Sequence, residues 1–155
     1  MIDPFTQQDH NFMRAAMEEA KNAAARDEVP IGAVIVDENG AIVAQDGNRT
    51  RELNDPSAHA EILAIRAACK KAGAQRIPNH TLYITLEPCA MCAGAISFAR
   101  IGRVVFGASD AKGGGILHGG KFYEQPTCHH KPIVEHGLMA EECGKILKEF
   151  FKSKR

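Results

Sequence analysis

Helical and strand-like patterns alternate along the 155 residues, and their order limits the possible architecture more than any other feature. Asn39-Gly40 between two short apolar runs predicts a β-hairpin. Predicted helices cover residues 6–26, 58–72, 88–100 and 138–152, and predicted strands cover residues 31–36, 41–44, 81–86, 103–107 and 133–135. The order α-β-β-α-β-α-β-β-α, in which helices separate strands, predicts an α/β fold with a mixed sheet covered by helices.

Length and composition indicate one globular domain over residues 1–155, because the chain has the size of a single ordinary domain. With 45% hydrophobic and 25% charged residues, the composition excludes a disordered chain and a collagen-like fibre. The longest segment without Asp, Glu, Lys or Arg runs from Pro88 to Ala99, well short of the roughly 18–20 residues that cross a membrane. The N-terminal residues lack the pattern of a secretory signal, so we expect a cytoplasmic protein with no membrane partner.

The net charge is zero, with 19 basic and 19 acidic residues, so the overall charge favours no class of partner. The local charge is uneven: residues 49–76 carry net +3 and residues 145–155 carry net +4. Such segments can hold phosphates, although solvated helix faces more often explain such counts.

Two short motifs lie at the predicted starts of two helices. His59-Ala60-Glu61 begins one helix, and Pro88-Cys89-Ala90-Met91-Cys92 begins the next. Because connections between parallel strands and helices meet at one edge of a sheet, both motifs can project from the same edge. Thiolate sulphur and imidazole nitrogen are preferred zinc ligands, and a helix N-terminus favours the thiolate form. His59, Cys89 and Cys92 are therefore the candidate ligands of one zinc ion.

Three protein ligands leave one coordination position open, which is typical of a catalytic rather than a structural zinc. Glu61 is placed to act as the nearby base, and H-x-E followed by P-C-x-x-C is the signature of zinc-dependent nucleobase deaminases. Two alternatives remain: a redox-active cysteine pair, or a closed zinc site with a fourth ligand from another cysteine. The other cysteines are Cys69, Cys128 and Cys143. The chain thus has five cysteines, and an odd number argues against a disulfide framework.

Longer strings around these motifs resemble the bacterial tRNA-specific adenosine deaminases, within the cytidine-deaminase-like superfamily. The resemblance covers residues 27–112 almost without a gap and resumes over the last helix. The matching strings are Glu-Val-Pro-Ile-Gly-Ala-Val at 28–34, Gly-Asn-Arg at 47–49, His-Ala-Glu-Ile at 59–62, Thr-Leu-Glu-Pro-Cys-Ala-Met-Cys-Ala-Gly-Ala at 85–95 and Arg-Val-Val-Phe-Gly-Ala at 103–108.

The resemblance implies a three-layer α/β/α sandwich with a mixed five-stranded sheet, one zinc per chain, no organic cofactor and a homodimer. It implies hydrolytic deamination of adenosine to inosine at the wobble position of a tRNA anticodon stem–loop. Zinc-bound hydroxide would attack C6 of adenine while Glu61 shuttles protons. The resemblance also implies substrate contacts for Asn48, Ile31 and Asp110; without it, these would be interpreted as a turn residue, a core edge and a loop aspartate.

Residues 113–134 depart from the commonest family pattern, so contacts that other members make from this segment cannot be transferred. Cys128-His129-His130 receives no role. The nearest alternative function is deamination of a free base, nucleoside or nucleotide such as guanine or cytosine by the same four residues. A zinc-stabilised RNA-binding module without catalysis is the other alternative, and the intact Glu61 argues against it.

Overall fold

A computed structural model of the chain describes residues 2–155. The helices are α1 (Gln7–Ala25), α2 (Ala60–Ala72), α3 (Ala90–Phe98) and α4 (Ala140–Ser153), with a 3-10 turn at Phe122–Glu124. The strands are β1 (Gly32–Val36), β2 (Ile42–Gly47), β3 (Thr81–Leu86), β4 (Arg103–Ala108) and β5 (Ile133–His136).

The strands form one mixed five-stranded sheet in the order β2-β1-β3-β4-β5. Strand β1 is antiparallel to both β2 and β3, whereas β3, β4 and β5 are parallel. Strand β2 therefore runs in the same direction as β3 and β4, and the carboxyl ends of these strands lie at one edge of the sheet. The start of β1 lies at the same edge, which we call the upper edge.

Helices cover both faces of the sheet, which confirms the predicted three-layer α/β/α architecture. Helices α1 and α4 pack on one face, where Met13 and Cys143 share a buried cluster with Val34 and Val105. Helices α2 and α3 pack on the other face, where Ala64 and Ile96 join a larger cluster with alternate residues of the same strands. The buried strands β1, β3 and β4 are thus apolar on both sides, as expected for strands covered by helices on each face.

Helix α1 lies unusually close to the start of β1. A Cβ atom at Gly32 would overlap the carbonyl oxygen of Ala16 and lie 2.6 Å from the amide nitrogen of Ala20. Because both neighbours are backbone atoms of the helix, only glycine permits this approach.

The predicted elements are all present, with differences at their ends. Thr6, the first residue of the predicted helix, is the N-cap of α1 and forms a reciprocal capping box with Asp9. Helix α3 begins at Ala90 with Cys89 as N-cap, so the prediction that Pro88 lies in its first turn was wrong. The predicted hairpin is confirmed, although β2 continues to Gly47 because it pairs with β1 along its whole length. Among residues 2–155, no helix is both long enough and apolar enough to cross a membrane.

A buried ionic cluster joins α1 to the lower ends of β3 and β4. Asp9 is only 4% exposed and accepts hydrogen bonds from the Tyr83 hydroxyl (2.6 Å) and from Arg103 Nη1 (3.0 Å). Arg103 also pairs with Glu135 on β5. Burial alone raises the pKa of Asp9, but the hydrogen bonds from Arg103, Tyr83 and Thr6 outweigh it and hold the pKa well below its usual range.

We expect Asp9→Asn to lower the free energy of unfolding by about 2–3 kcal/mol at neutral pH, because it removes a charged acceptor from a buried network. Since the folded-state pKa of Asp9 is lowered, its contribution is complete above the unfolded pKa near 4 and is lost as the pH falls. The difference between the variant and the wild type should therefore stay constant from about pH 5 to 8 and shrink below about pH 4.

Urea unfolding at several pH values tests this. Glu18→Gln is the matched control, because Glu18 pairs with Lys21 on the exposed surface and should contribute less than about 0.5 kcal/mol. Equal effects of the two substitutions at neutral pH would contradict a stabilising role for the buried cluster.

Candidate active site

The two sequence motifs meet at the upper edge of the sheet. His59 is the N-cap residue of α2 and Cys89 is the N-cap residue of α3, and both have the extended backbone typical of that position. Cys92 lies three residues into α3 and is completely buried. Neither His59 nor Cys89 uses its side chain to cap its own helix, so both side chains remain free to bind a ligand.

The geometry of these three residues fits one tetrahedral zinc ion. Nδ1 of His59 lies 3.6 Å from Sγ of Cys89 and 3.4 Å from Sγ of Cys92. Tetrahedral zinc with Zn–S and Zn–N bonds of about 2.3 and 2.0 Å separates such ligand atoms by about 3.5 Å. Within residues 2–155, no other group of at least three His, Cys, Asp or Glu side chains is close enough to hold a metal. Hence the three candidate ligands of the sequence analysis are brought together, without a fourth protein ligand.

The two thiols influence each other strongly. A hydrogen bond from Cys92, helped by the nearby His59, lowers the pKa of Cys89 to about 4. The same interaction and deeper burial raise the pKa of Cys92. These neighbours favour the thiolate form of Cys89, which is the form of cysteine that binds metals.

Glu61 occupies the first turn of α2, two residues after His59, and is 4% exposed. Burial raises its pKa to about 7, although its own backbone N–H and the neighbouring His59 act in the opposite direction. A carboxyl group with a pKa near neutrality can both accept and donate a proton at physiological pH. The arrangement thus places a proton carrier beside an open metal position.

Asn48 lies at the end of β2 and is buried. Its Oδ1 accepts a hydrogen bond of 2.8 Å from the backbone N–H of Ala60, so Asn48 supplies the helix cap that His59 does not. Among the described residues, no acceptor contacts its Nδ2 group. The structural role of Asn48 therefore uses only its side-chain oxygen. The two N–H donors of its side-chain amide remain available for a ligand.

Ile31 and Asp110 lie at the same edge. Ile31 precedes β1 and packs partly against the larger core cluster. Asp110 follows β4, and its Oδ1 accepts hydrogen bonds from the backbone N–H groups of Lys112 (3.2 Å) and Gly113 (2.9 Å). The Asp110 side chain therefore stabilises its own turn, which is the loop-aspartate interpretation, and a substrate contact for it stays a prediction.

Two buried carboxylates that the sequence analysis did not single out hold the loops around this site. Glu28 accepts hydrogen bonds from the backbone N–H groups of Arg51 (3.1 Å) and Glu52 (2.7 Å), in the loop between β2 and α2. Glu87 accepts hydrogen bonds from the loop after β4. An acidic residue directly after a buried strand was the available signal for Glu87.

The unusual segment 113–134 packs on α3 and β4. The Tyr123 hydroxyl donates to the carbonyl oxygen of Ala93, and the Ser97 hydroxyl donates to that of His130. Cys128 lies beside Ser97 rather than beside the candidate metal ligands. These contacts explain how a long polar connection is held in place without a second metal.

Comparisons with known proteins agree with this geometry. Residues 6–108 match the family model described as the cytidine and deoxycytidylate deaminase zinc-binding region. A tRNA-specific adenosine deaminase of Agrobacterium fabrum is 57% identical over 145 residues, which cover 94% of this chain and 95% of that protein.

Two solved structures resemble the fold. One comes from work on A-to-I editing by tRNA:A34 deaminases at the wobble position of transfer RNA. It has a TM-score of 0.87 and 57% identity to this chain, and the match covers 88% of this chain and 99% of that one. Guanine deaminase from Bacillus subtilis has a TM-score of 0.62 and 40% identity, and the match covers 68% of this chain and 66% of that one. By its zinc-site geometry and by these matches, the chain belongs to the zinc-binding cytidine and deoxycytidylate deaminase family and, within it, to the tRNA-specific adenosine deaminases.

Proposed function

We propose that this protein converts adenosine to inosine at the wobble position of a tRNA anticodon by hydrolytic deamination in the cytoplasm. The observation that carries the proposal is the open three-ligand site beside the buried Glu61. The 57% identity to a tRNA-specific adenosine deaminase supports the choice of substrate.

His59, Cys89 and Cys92 are the proposed zinc ligands. When bound, zinc supplies a Lewis acid that lowers the pKa of a coordinated water. Two thiolates and one neutral imidazole would balance the charge of the divalent ion, so a coordinated water would lose its proton only to a nearby base, which Glu61 would supply.

Glu61 is the proposed proton carrier. It takes a proton from the attacking water, delivers it to N1 of adenine, and then helps to protonate the amino group that leaves C6. Water is consumed, ammonia is released, and the adenine ring becomes hypoxanthine. The buried position of Glu61 keeps bulk water away from these proton transfers. It also raises the pKa of Glu61 towards the pH at which the enzyme would work.

Asn48, Ile31 and Asp110 are the proposed substrate contacts. The free amide N–H groups of Asn48 suit an acceptor atom of the nucleoside, and Ile31 offers an apolar wall beside the base. Asp110 begins the loop that would face the ribose. An unpaired anticodon loop lowers the cost of bringing the target base out of its stack.

The charge distribution supports an RNA substrate. Helix α4 ends in a basic tail, and the surface of its last turns brings Leu147 and Phe151 together with three basic residues, Lys148, Lys152 and Arg155. Aromatic and basic side chains together favour unpaired RNA, because they stack on bases and neutralise phosphates. Free nucleosides have no phosphates with which to use such a surface.

Glu61→Gln should retain one zinc per chain and the wild-type fold, yet lose at least about 100-fold in kcat, because an amide cannot carry the proton. Elemental analysis and single-turnover assays test this. Cys89→Ala is the companion variant, and it should lose zinc as well as activity. Wild-type rates in Glu61→Gln would assign proton transfer to another group, and loss of zinc would make Glu61 a ligand.

The substrate assignment is tested by ammonia release from an anticodon stem–loop with adenosine at the wobble position. We expect this RNA to react with a kcat/KM at least about 100-fold above that of free adenosine, cytidine, cytosine or guanine, because phosphate contacts contribute binding energy to the reaction. Its KM should also rise with salt. Equal or faster turnover of a free compound would favour the alternative of a small-molecule deaminase.

We further propose that two copies of the chain form a homodimer through α3. This helix carries Cys92 on its buried side and exposes an apolar stripe on the other, in which Phe98 is 73% exposed and Met91 is 40% exposed. Their spacing of seven residues, close to two helical turns, places them on one face. A stripe of this kind suits a second copy, because self-association would cover it.

Phe98→Glu should shift the protein from the mass of two chains to that of one in light scattering after size-exclusion chromatography. A buried carboxylate without a partner strongly disfavours the interface. Ile42→Glu is the matched control, since Ile42 is also exposed but lies on edge strand β2, which β1 separates from the strands that α3 connects. A wild-type protein that elutes as a monomer at micromolar concentration would refute the homodimer.

A further inference from the structure

Glu87 is a completely buried carboxylate that the proposed reaction does not use. It lies where β3 leads into the metal-binding turn, two residues before Cys89. Oε1 accepts hydrogen bonds from the backbone N–H of Asp110 (2.9 Å) and from Nδ1 of His118 (2.8 Å). Oε2 accepts hydrogen bonds from three consecutive backbone N–H groups, those of residues 116, 117 and 118, at 2.9–3.2 Å.

These five donors all belong to residues 110–118, which we call the 110–118 segment. The segment also contacts the metal-binding turn directly, since the N–H of Gly115 donates to the carbonyl oxygen of Pro88 at 2.8 Å. A Cβ atom at Gly115 would lie 2.6 Å from the amide nitrogen of Ala90. The segment is therefore packed backbone to backbone against the turn that carries Cys89.

We propose that Glu87 is a positioning residue that holds the 110–118 segment against the metal-binding turn as one wall of the RNA site. The inference rests on the proposed function, in which Asp110 at the start of this segment faces the substrate. One carboxylate then sets the distance between an RNA-facing loop and the zinc ligands.

A carboxylate suits this task better than an amide, because all five surrounding groups are donors. A glutamine of the same size would direct an NH2 group towards N–H groups and leave at least one donor without a partner. Glu87→Gln therefore loosens the segment while it preserves the volume of the side chain.

Glycine at position 114 gives independent evidence for the same contact. A Cβ atom there would overlap Oε2 of Glu87 and lie 2.6 Å from the carbonyl oxygen of Asp110. Gly114→Ala should thus displace the segment without any change in charge. Gly120→Ala is the matched control, because a Cβ atom at that position meets nothing within 4 Å.

The test measures KM and kcat on the anticodon stem–loop with the zinc-loaded protein. Glu87→Gln and Gly114→Ala should each raise KM at least about tenfold and lower kcat/KM by about 100-fold, since small misplacements of positioning groups have effects of that size. Zinc content should stay at one per chain. Because both substitutions act through one contact, the double variant should be no worse than the more severe single variant.

A merely structural role predicts a different result. Partial unfolding lowers the apparent kcat but leaves KM unchanged, because the remaining folded molecules bind RNA normally. Asp9→Asn gives this comparison, since it removes a buried carboxylate from the opposite end of the sheet. Its KM, and that of Gly120→Ala, should remain within about threefold of the wild type.

An unchanged KM in Glu87→Gln, or loss of zinc from it, would overturn the positioning role. If Glu87→Gln does not fold, the KM of Gly114→Ala decides the question. A wild-type protein without activity on the stem–loop would instead overturn the proposed function, so the two failures are distinguishable.

Discussion

The site depends on the use of helix N-cap positions for metal ligands. An N-cap side chain normally accepts a hydrogen bond from the first turn of its helix, and a side chain that binds a metal cannot do this. His59 and Cys89 both occupy such positions without capping. The structure compensates in α2 by using Asn48 from the end of β2 as the acceptor for Ala60. In α3 the negative charge of the Cys89 thiolate lies at the positive end of the helix dipole.

This arrangement connects the proposed substrate contact of Asn48 to the candidate metal site. Asn48 joins β2 to α2 with its carbonyl oxygen and keeps its amide N–H groups for a ligand. One side chain thus both caps α2, through its oxygen, and offers the proposed substrate contact, through its N–H groups. Any movement of α2 that shifts His59 also shifts the Asn48 donors, so a candidate zinc ligand and a proposed substrate contact keep a fixed relative position.

Three buried carboxylates that take no part in the proposed reaction fix the neighbouring helix and loops. Asp9 joins α1 to the lower ends of β3 and β4, while Glu28 and Glu87 each collect backbone donors from a loop at the upper edge. Buried charges of this kind are tolerated because they are fully hydrogen-bonded. Loops rich in glycine and polar residues contain little apolar surface, so a buried carboxylate provides the anchor that a hydrophobic core would otherwise supply.

Much of this architecture could be predicted from the chain. The alternation of helical and strand patterns gave the element order and the layers, since hydrophobic periodicity reports which side of an element is buried. The spacing of His59, Glu61, Cys89 and Cys92 predicted the metal site, because each pair lies within one helical turn. The predicted start of α3 was two residues too early. Proline is common both in the first turn of a helix and just before the N-cap, so the sequence did not distinguish these positions for Pro88.

By itself the sequence predicted the local chemistry: which residues are the candidate zinc ligands, which one is the candidate proton carrier, and which helices they begin. The tertiary structure alone decided which buried groups hold the loops around them. No periodicity links Glu87 to His118 or Asn48 to Ala60, because these contacts join residues on different elements. They exist only after the parallel strands bring their carboxyl ends to one edge of the sheet.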